Sequence, residues 1–399
     1  MTISFVTDQI TPVTKNFITQ VVDSWNLNQS NRPVELTFIE HEELRGLLES
    51  YLTRADPPDV LTWFAGNRMQ SFIDRKLMMK TESIKGIDEL YESLQPRFQS
   101  MFDKGDAKHF IPTSYFWWAI YYLPSVFEKA GIDMPINNWQ DLTVAAEKLS
   151  SIGIVPFSLG SLYRCPATSW FDYLNMRLNG PEFHQQLMDL KIPYTDERIR
   201  TVLSFFRKLQ DNGWFLGKAN SYDEEEAVNA VLSGKAGMTL IGSYVQDEYV
   251  PADCKNDLDF FRFPIINEHV GIGEDTPIDG FFASGRSNNP QDVGDFLLYL
   301  GSKNVQALAT KSITALPTHS GIDLGKIRDD LAKGYEITNH ADNLFQFYDL
   351  DTPWEIADVG MALINDFASY ETDESMVQNR IEEARLKFLG CFNQKEKLL

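Results

Sequence analysis

The sequence predicts an α/β protein of two domains, and three observations carry that prediction. Residues 2–63 alternate strand-like and helix-like segments in the order β-α-β-α-β, which favours a parallel sheet. The length of 399 residues exceeds what one hydrophobic core usually holds, although 43% of the residues are hydrophobic. Six aromatic residues fall between 115 and 122, so a strand there carries bulky rings on both faces. Such a strand is either buried on both sides or lines a cleft.

The first elements follow from the spacing of apolar residues. Alternating apolar and polar residues predict strands at 2–7 and 34–39. Apolar residues three and four apart predict helices at 12–27 and 41–53. A Pro-containing turn then leads into a third strand that ends near Trp63.

The later elements repeat this alternation with longer helices. Helices are predicted, in chain order, at 138–151, 196–212, 223–232 and 289–300, with a largely helical segment at 354–388. Short strands are predicted at 154–158 and within 234–244. Acidic residues open the helix at 223–232, where they suit the helix dipole. We interpret them as a solvated helix start rather than as a catalytic cluster.

The aromatic run is predicted to form one strand of about ten residues, because Pro112 and Pro124 bracket it. Side chains on a strand alternate faces, so the neighbours Trp117 and Trp118 point in opposite directions. At least one of these two rings therefore needs an apolar surface outside the main core.

Charge and composition exclude several classes of protein. The net charge of −21 repels nucleic acid and anionic lipid surfaces, and its simplest consequence is solubility. Cys165, Cys254 and Cys391 fit neither a zinc site nor a CxxC pair, and they leave open one disulfide or none. Without a run of about 18 apolar residues, the sequence predicts no transmembrane helix. The chain begins directly in a strand, which leaves open a cytosolic protein or one whose export signal has been removed.

Motifs for the common enzyme chemistries are missing from the sequence. It contains no phosphate-binding loop, no HExxH motif and no GxSxG elbow, and Gly271-Ile-Gly273 does not continue as a dinucleotide fingerprint. The six histidines are scattered. We therefore predict no cofactor, no metal and no catalytic residue. A carboxylate pair for glycan hydrolysis stays open, because 57 acidic residues allow many chance pairs.

Four blocks of sequence stand out by their order and spacing. The first is Pro58-Asp59-Val60 with Trp63 behind it, and the second runs from Ile111-Pro112 to Trp139. The third is Leu232–Tyr244, with a Gly-Lys-Ala-Gly-Met core. The fourth runs from Phe263-Pro264, through Asp279-Gly280 and Asn289-Pro290, to Ala315-Leu-Pro317.

Together these blocks resemble the extracellular solute-binding proteins of ABC importers, in the cluster that includes maltose and other sugar binders. The resemblance covers about residues 55–320. It departs from the family pattern at Leu123, where relatives usually carry Asn. It implies the two-lobed periplasmic binding protein fold of type II, with a ligand cleft between the lobes that closes by hinge bending.

The resemblance also implies how the chain is divided. Lobe 1 is expected to comprise 1–116 and 279–313, and lobe 2 is expected to comprise 121–265 and 318–399. The hinge crossings then lie near 116–121, 265–279 and 313–318. Relatives carry a cleaved export signal, so we expect a periplasmic protein, or an extracellular one anchored to the membrane by a lipid.

The expected site combines aromatic platforms for sugar faces with planar polar groups for hydroxyls. From the resemblance and from their positions after predicted strands and at the crossings, the candidate ligand-binding residues are Thr7, Asp8, Gln9, His41, Trp63, Asn67, Arg68, Phe116, Trp118, Ser161, Tyr163, Arg164, Ser243, Tyr244, Asp279, Gly280 and Trp354.

The predicted function is that of a monomeric binding protein, not an enzyme, which delivers a mono- or small oligosaccharide to a membrane permease. An anionic or modified sugar, or another polar solute, is the alternative ligand, and Arg68 or Arg164 would then pair with its charge. A glycan-active enzyme with a carboxylate pair is the alternative from a different class of protein.

Overall fold

The structure is a computed structural model that describes residues 2–29, 31–98 and 108–396, with side chains described as far as 390. The chain divides into two compact units. The first unit comprises Met1–Phe116 and Pro277–Glu336, and the second comprises Trp117–Thr276 and Ile337–Leu399. Each unit is therefore built from separated parts of the chain.

The strands are β1 Ile3–Thr7, β2 Val34–Phe38, β3 Val60–Phe64, β4 Ile111–Tyr115, β5 Trp118–Tyr122, β6 Val155–Ser158, β7 Ala236–Gly242, β8 Asp259–Phe261, β9 Gly273–Asp275, β10 Ile278–Ala283, β11 Leu316–Pro317 and β12 Asn343–Phe345.

The helices are α1 Pro12–Asn28, α2 His41–Thr53, α3 Asn67–Asp74, α4 Ile87–Glu92, α5 Pro124–Ala130, α6 Trp139–Ser151, α7 Cys165–Asn179, α8 Pro181–Met188, α9 Glu197–Asp211, α10 Glu224–Leu232, α11 Val245–Glu248, α12 Pro290–Leu300, α13 Lys303–Ser312, α14 Asp329–Asn339, α15 Tyr348–Asp351, α16 Trp354–Ala368 and α17 Glu374–Glu396.

The first unit is built on a six-stranded sheet in the order β11-β4-β10-β3-β1-β2. Strand β1 pairs in parallel with both β2 and β3, which confirms the predicted β-α-β-α-β start. The prediction of a parallel sheet is only partly right, because β10 runs antiparallel to β3 and β4. Strand β10 comes from the distant segment that begins at Pro277, so no local sequence pattern predicts that it pairs antiparallel with β3 and β4.

The aromatic run forms two strands, and the prediction of one strand of about ten residues is wrong. Strand β4 belongs to the sheet of the first unit and β5 to that of the second. Phe116 lies between them, and its backbone N–H donates to the carbonyl of Pro277 at 3.0 Å. Each strand is buried along its whole length. Double burial therefore explains the high aromatic content of both strands.

The two neighbouring tryptophans each find a separate apolar surface within the second unit. Trp117 and Trp118 are both 0% exposed. The ring of Trp117 packs 5.5 Å from Phe260, and the ring of Trp118 packs 4.7 Å from Phe347. The two rings therefore have different aromatic partners, and their opposite directions stay a prediction.

The second unit holds a four-stranded sheet in the order β6-β7-β5-β8 and a separate parallel pair, β9 with β12. Helix α7 packs against α9 and β9, and its residues from Pro166 to Arg177 are buried. A helix that is buried on every side shows no amphipathic period, which is why the sequence analysis did not predict it.

Residues 318–336 pack with the first unit, whereas the resemblance assigned them to lobe 2. The backbone N–H of Gln95 donates to the carbonyl of Thr318 at 2.9 Å, and that of Ser320 donates to Ser93 at 2.8 Å. These bonds tie the segment to the first unit directly after β11. Within the described ranges, none of the helices is both long and apolar enough to cross a membrane.

Candidate ligand-binding residues

In the first unit, polar residues follow the carboxyl ends of β1 and β2. Thr7 ends β1 and is fully buried, and its hydroxyl accepts a hydrogen bond from the hydroxyl of Thr62 at 2.7 Å. The backbone N–H of Gln9 also donates to this hydroxyl, at 3.3 Å. Thr7 therefore fixes the turn after the strand. The Gln9 side chain lines a cavity of about 20 Å³, which is far too small for a sugar ring.

Asp8, His41 and Asp279 form an acidic cluster of the first unit. A carboxylate oxygen of Asp8 lies 2.6 Å from Nδ1 of His41, whose side chain is 51% exposed. Loss of hydration lowers the pKa of His41, but the hydrogen bond and charge of Asp8 outweigh it and raise the pKa overall. Burial and the nearby charge of Asp8 raise the pKa of Asp279 to about 7. The carboxyl group of Asp279 therefore changes protonation near neutral pH in this cluster.

Trp63 lies on β3, next to β1, and is 3% exposed. Its ring stacks on Phe64 with 4.2 Å between centroids and meets Phe72 edge-on at 6.0 Å. The guanidinium carbon of Arg68 lies 5.9 Å from the same ring. Among the described residues, the indole N–H of Trp63 has no acceptor. A buried donor in this state is costly, and a ligand oxygen would satisfy it.

Helix α3 and strand β10 hold three further candidates of the first unit. Asn67 and Arg68 form the first turn of α3, and Arg68 is buried. Gly280 lies on β10 opposite Trp63, where a Cβ atom would come within 2.0 Å of the carbonyl oxygen of Ile111. Only glycine fits there, so Gly280 permits the close approach of β4.

In the second unit, Trp118, Ser243 and Tyr244 lie together at one end of β5 and β7. Trp118 opposes Gly242 across the two strands, and the ring of Tyr244 lies 6.3 Å from that of Trp118. The backbone N–H of Ser243 donates to the carbonyl of Trp117 at 2.9 Å. The structure therefore brings these three candidates into one local group.

Glu224 is a partner of this group that the sequence analysis missed. The hydroxyl of Tyr244 donates to a carboxylate oxygen of Glu224 at 2.8 Å. Burial, followed by the charge of Glu224, raises the pKa of Tyr244 well above its usual range. Glu224 was interpreted as part of a solvated helix start, and nothing in the local pattern indicates that a distant tyrosine reaches it.

The candidates after β6 lie beside the start of α16. The hydroxyl of Ser161 accepts the backbone N–H of Ala167 at 3.1 Å, so Ser161 is used in holding the start of α7. Arg164 pairs with Asp358 of α16 at 3.2 Å. Two large rings remain on the surface here, because Tyr163 is 57% exposed and Trp354 is 43% exposed.

Neither a metal centre nor a disulfide joins these groups. In the part of the chain that the structure describes, no three His, Cys, Asp or Glu side chains are arranged to hold a metal ion. Cys165 and Cys254 are not disulfide-bonded, and the side chain of Cys391 lies outside the described residues.

Comparison with known proteins assigns the family. The family model for bacterial extracellular solute-binding proteins matches residues 12–307. The chain belongs to this family. This solute-binding protein is 26% identical over 270 residues to an ABC transporter extracellular-binding protein of Pyrococcus horikoshii, a match that covers 66% of the chain and 58% of that relative. The family match confirms the resemblance seen in the sequence. The chain spans less than two thirds of the length of this relative.

Solved structures confirm the fold of this solute-binding protein. The bacterial solute receptor AcbH, described as having an exclusive preference for β-D-galactopyranose, matches with a TM-score of 0.87. The identity is 25%, and the match covers 98% of this chain and 99% of AcbH. GacH of Streptomyces glaucescens, solved unliganded and with acarbose, matches with a TM-score of 0.81 at 16% identity and 98% coverage of both chains.

Proposed function

We propose that this solute-binding protein captures a carbohydrate, a mono- or small oligosaccharide, and delivers it to the membrane permease of an ABC importer. The observation that carries the proposal is Trp63, a buried ring whose N–H has no acceptor among the described residues. Sugars offer an apolar C–H face and a rim of hydroxyls, and one indole can serve both. The described preference of AcbH for a galactopyranose supports the same ligand class.

Polar groups suited to sugar hydroxyls lie close to Trp63 in sequence and topology. Strands β1 and β3 are parallel neighbours, so Asp8 and Trp63 lie near the same end of the sheet. A carboxylate accepts two hydroxyl hydrogens at once, which supplies orientation as well as affinity. Asp8 is held for this task by its 2.6 Å contact with His41.

The second unit offers exposed rings as further platforms. Tyr163 and Trp354 expose 57% and 43% of their surface. The Arg164–Asp358 ion pair joins the loop that carries Tyr163 to the helix that Trp354 opens. Large exposed aromatic rings commonly mark binding surfaces, and two of them can stack on successive sugar units.

A sugar panel in a thermal unfolding assay tests the proposal. A ligand that binds only the folded state stabilises it, by about 2.7 kcal/mol at one hundred times its dissociation constant. We expect at least one neutral mono- or oligosaccharide to raise the melting temperature by several degrees. If no sugar does so while an amino acid or a polyamine does, the carbohydrate proposal fails.

Replacement of Trp63 by Phe tests the observation that carries the proposal. Trp63→Phe keeps a ring and removes the N–H, so we expect about a tenfold loss of affinity for the sugar found in the panel. Trp25→Phe is the matched control, since Trp25 is equally buried in the same unit but donates to the carbonyl of Arg32 at 2.9 Å. The control should lower stability and leave affinity unchanged, and equal affinity losses in both variants would refute the role of Trp63.

An anionic or modified sugar is the second candidate ligand, because buried Arg68 lies beside Trp63. Arg164, the other candidate, already pairs with Asp358 at 3.2 Å. Calorimetry with galactose and galacturonate, on the native protein and on Arg68→Gln, separates the two ligands. Tighter binding of galacturonate that Arg68→Gln abolishes would replace the neutral sugar by the anionic one.

Delivery and location complete the proposal. We infer a periplasmic or membrane-anchored extracellular protein, as the family description supports. Capture is proposed to move the two units about the chain crossings, which shifts an open–closed equilibrium toward the closed state. Small-angle scattering should show a smaller radius of gyration with sugar than without it, and an unchanged radius under saturation would exclude closure.

A further inference from the structure

Two carboxyl groups in the interior of the second unit form no ion pair with the residues that the structure describes. Asp172 on α7 and Asp275 at the end of β9 are both 0% exposed. One oxygen of Asp172 and both oxygens of Asp275 lack a hydrogen-bond donor among the described residues. Buried ionised carboxylates with three unsatisfied oxygens would be strongly unfavourable.

Asp172 and Asp275 both contact the chain where β12 leads into α15. The second oxygen of Asp172 accepts the backbone N–H of Tyr348 at 2.9 Å. Asp275 pairs with Phe345 in the β9–β12 ladder, and the N–H of Thr276 donates to the carbonyl of Phe345 at 2.7 Å. Both residues therefore contact the same short segment, and the charge of Asp172 acts on Asp275.

The arginines whose charges act on Asp275 and on the neighbouring Tyr194 are engaged by other acids. Arg177 and Arg262 lie 2.5 Å and 3.3 Å from the carboxylate of Glu274, and the hydroxyl of Tyr173 donates to Glu274 at 3.0 Å. Arg385 pairs with Glu382 at 2.9 Å.

The other titratable groups around the pair add no positive charge. Asp349 and Asp351 contribute negative charge from α15. Burial lowers the pKa of His184 to about 3, so its imidazole is neutral. Burial also raises the pKa of Tyr194 and of Tyr348, so both phenols keep their protons.

We propose that Asp172 and Asp275 share one proton, so that a neutral carboxyl group donates a hydrogen bond to its ionised neighbour and fixes the end of β9. The proton sits on one carboxyl oxygen and is donated to an oxygen of the other. When it is lost to solvent at higher pH, two adjacent negative charges remain in a buried site and repel each other. Thr276 follows Asp275 directly and is the last residue before the chain enters the first unit. This carboxyl pair therefore stabilises, in a pH-dependent way, the segment that leads to a chain crossing.

The direction of the pKa shifts agrees with this arrangement. Burial raises the pKa of Asp172 well above its usual range, and the N–H of Tyr348 opposes that shift only in part. Burial, followed by the charge of Asp172, raises the pKa of Asp275 in the same direction. The folded state thus holds a proton that the unfolded chain releases near pH 4, so its stabilising effect is full below about pH 4 and declines as the pH rises.

Thermal unfolding between about pH 5 and about pH 9 tests whether Asp172 and Asp275 share a proton. We expect the melting temperature of the native protein to fall with rising pH, and the fall to be smaller by several degrees in Asp275→Asn. Asn keeps the size of Asp and can donate the hydrogen bond without a titrating proton. Asp133→Asn, an exposed residue of the same unit, is the matched control and should keep the native profile.

Infrared difference spectra supply a readout that a purely structural role would not move. Asp279, whose pKa is about 7 in the folded protein, also holds a proton near neutral pH, so the spectra are recorded in an Asp279→Asn background. In that background the C=O stretch of a protonated carboxylic acid should be present, and adding either Asp172→Asn or Asp275→Asn should weaken it. The proposal is overturned if the band is absent from that background or is undiminished by both substitutions. It is also overturned if added Ca²⁺ or Mg²⁺ stabilises the native protein but not Asp275→Asn, because a cation and not a proton would then bridge the pair.

Discussion

At the scale of single residues, Gly280 is a position where the backbone packing leaves no room for a side chain. A Cβ atom there would lie 2.0 Å from the carbonyl oxygen of Ile111, and a backbone atom cannot rotate away. We expect Gly280→Ala to lower the free energy of unfolding by about 1–3 kcal/mol in urea titrations. Gly46→Ala, on helix α2 with nothing within 4 Å of its added Cβ, is the matched control. It should instead stabilise by up to about 1 kcal/mol, and similar losses in both variants would contradict this explanation.

Asp279 makes stability depend on pH in the first unit. Its pKa is raised from 3.8 to about 7 in the folded protein, so its stabilising effect is complete below pH 3.8 and is lost as the pH rises toward 7. The loss is at most about 1.4 kcal/mol per pH unit in that window. Urea midpoints of Asp279→Asn should therefore change less between about pH 5 and about pH 7 than those of the native protein. Glu35→Gln, an exposed position on β2, should keep the native dependence, and a native-like slope in Asp279→Asn would exclude this role.

Sequence patterns could nominate the candidate residues but not their partners. Trp63 lies near the end of a strand and Tyr244 follows one, both in blocks that resemble a family, so position alone selects them. The hydrogen bond from Tyr244 to Glu224 and the pairing of Arg164 with Asp358 join residues that are distant in sequence. No local periodicity contains that information, because side-chain contacts depend on how separate elements pack.

At the scale of elements, helix α10 begins with a reciprocal capping box. The Asp223 side chain accepts the N–H of Glu226 at 2.9 Å, and the Glu226 side chain accepts the N–H of Asp223 at 3.0 Å. This cap confirms the predicted helix start, although Glu224 of the same turn is engaged by Tyr244. We expect Asp223→Ala to lower the free energy of unfolding by about 1 kcal/mol. Glu225→Ala removes an exposed charge of the same turn and should cost less, and denaturation curves that rank the two variants in the reverse order would contradict the capping role.

Elements with strong local signals were predictable, and those shaped by tertiary contacts were not. Helix α2 has the predicted bounds of 41–53, because its apolar stripe of Leu44, Leu48 and Leu52 is regular. The aromatic run was wrongly predicted to form one strand, because two short strands of different sheets follow each other with only two residues between them. Helix α7 was not predicted, because full burial removes the polar face that marks an amphipathic helix.

At the scale of the whole molecule, the order of blocks along the chain predicted the family more reliably than any single motif. The chain belongs to the solute-binding proteins through a match over residues 12–307, which includes most of the four blocks. The two compact units are each assembled from separated segments, so their composition could be inferred only through the resemblance. Residues 318–336 show the limit of that inference, since their hydrogen bonds place them with the first unit.

Native mass spectrometry tests the central claim, reversible capture of an intact carbohydrate, most directly. The protein is incubated with an equimolar pool of neutral sugars, sugar acids, amino acids and polyamines, separated from unbound solutes, and weighed with its ligand. The account predicts one bound saccharide whose mass is unchanged after release, and a weaker signal for Trp63→Phe than for Trp25→Phe. A bound amino acid or polyamine, or a saccharide recovered in hydrolysed form, would contradict it.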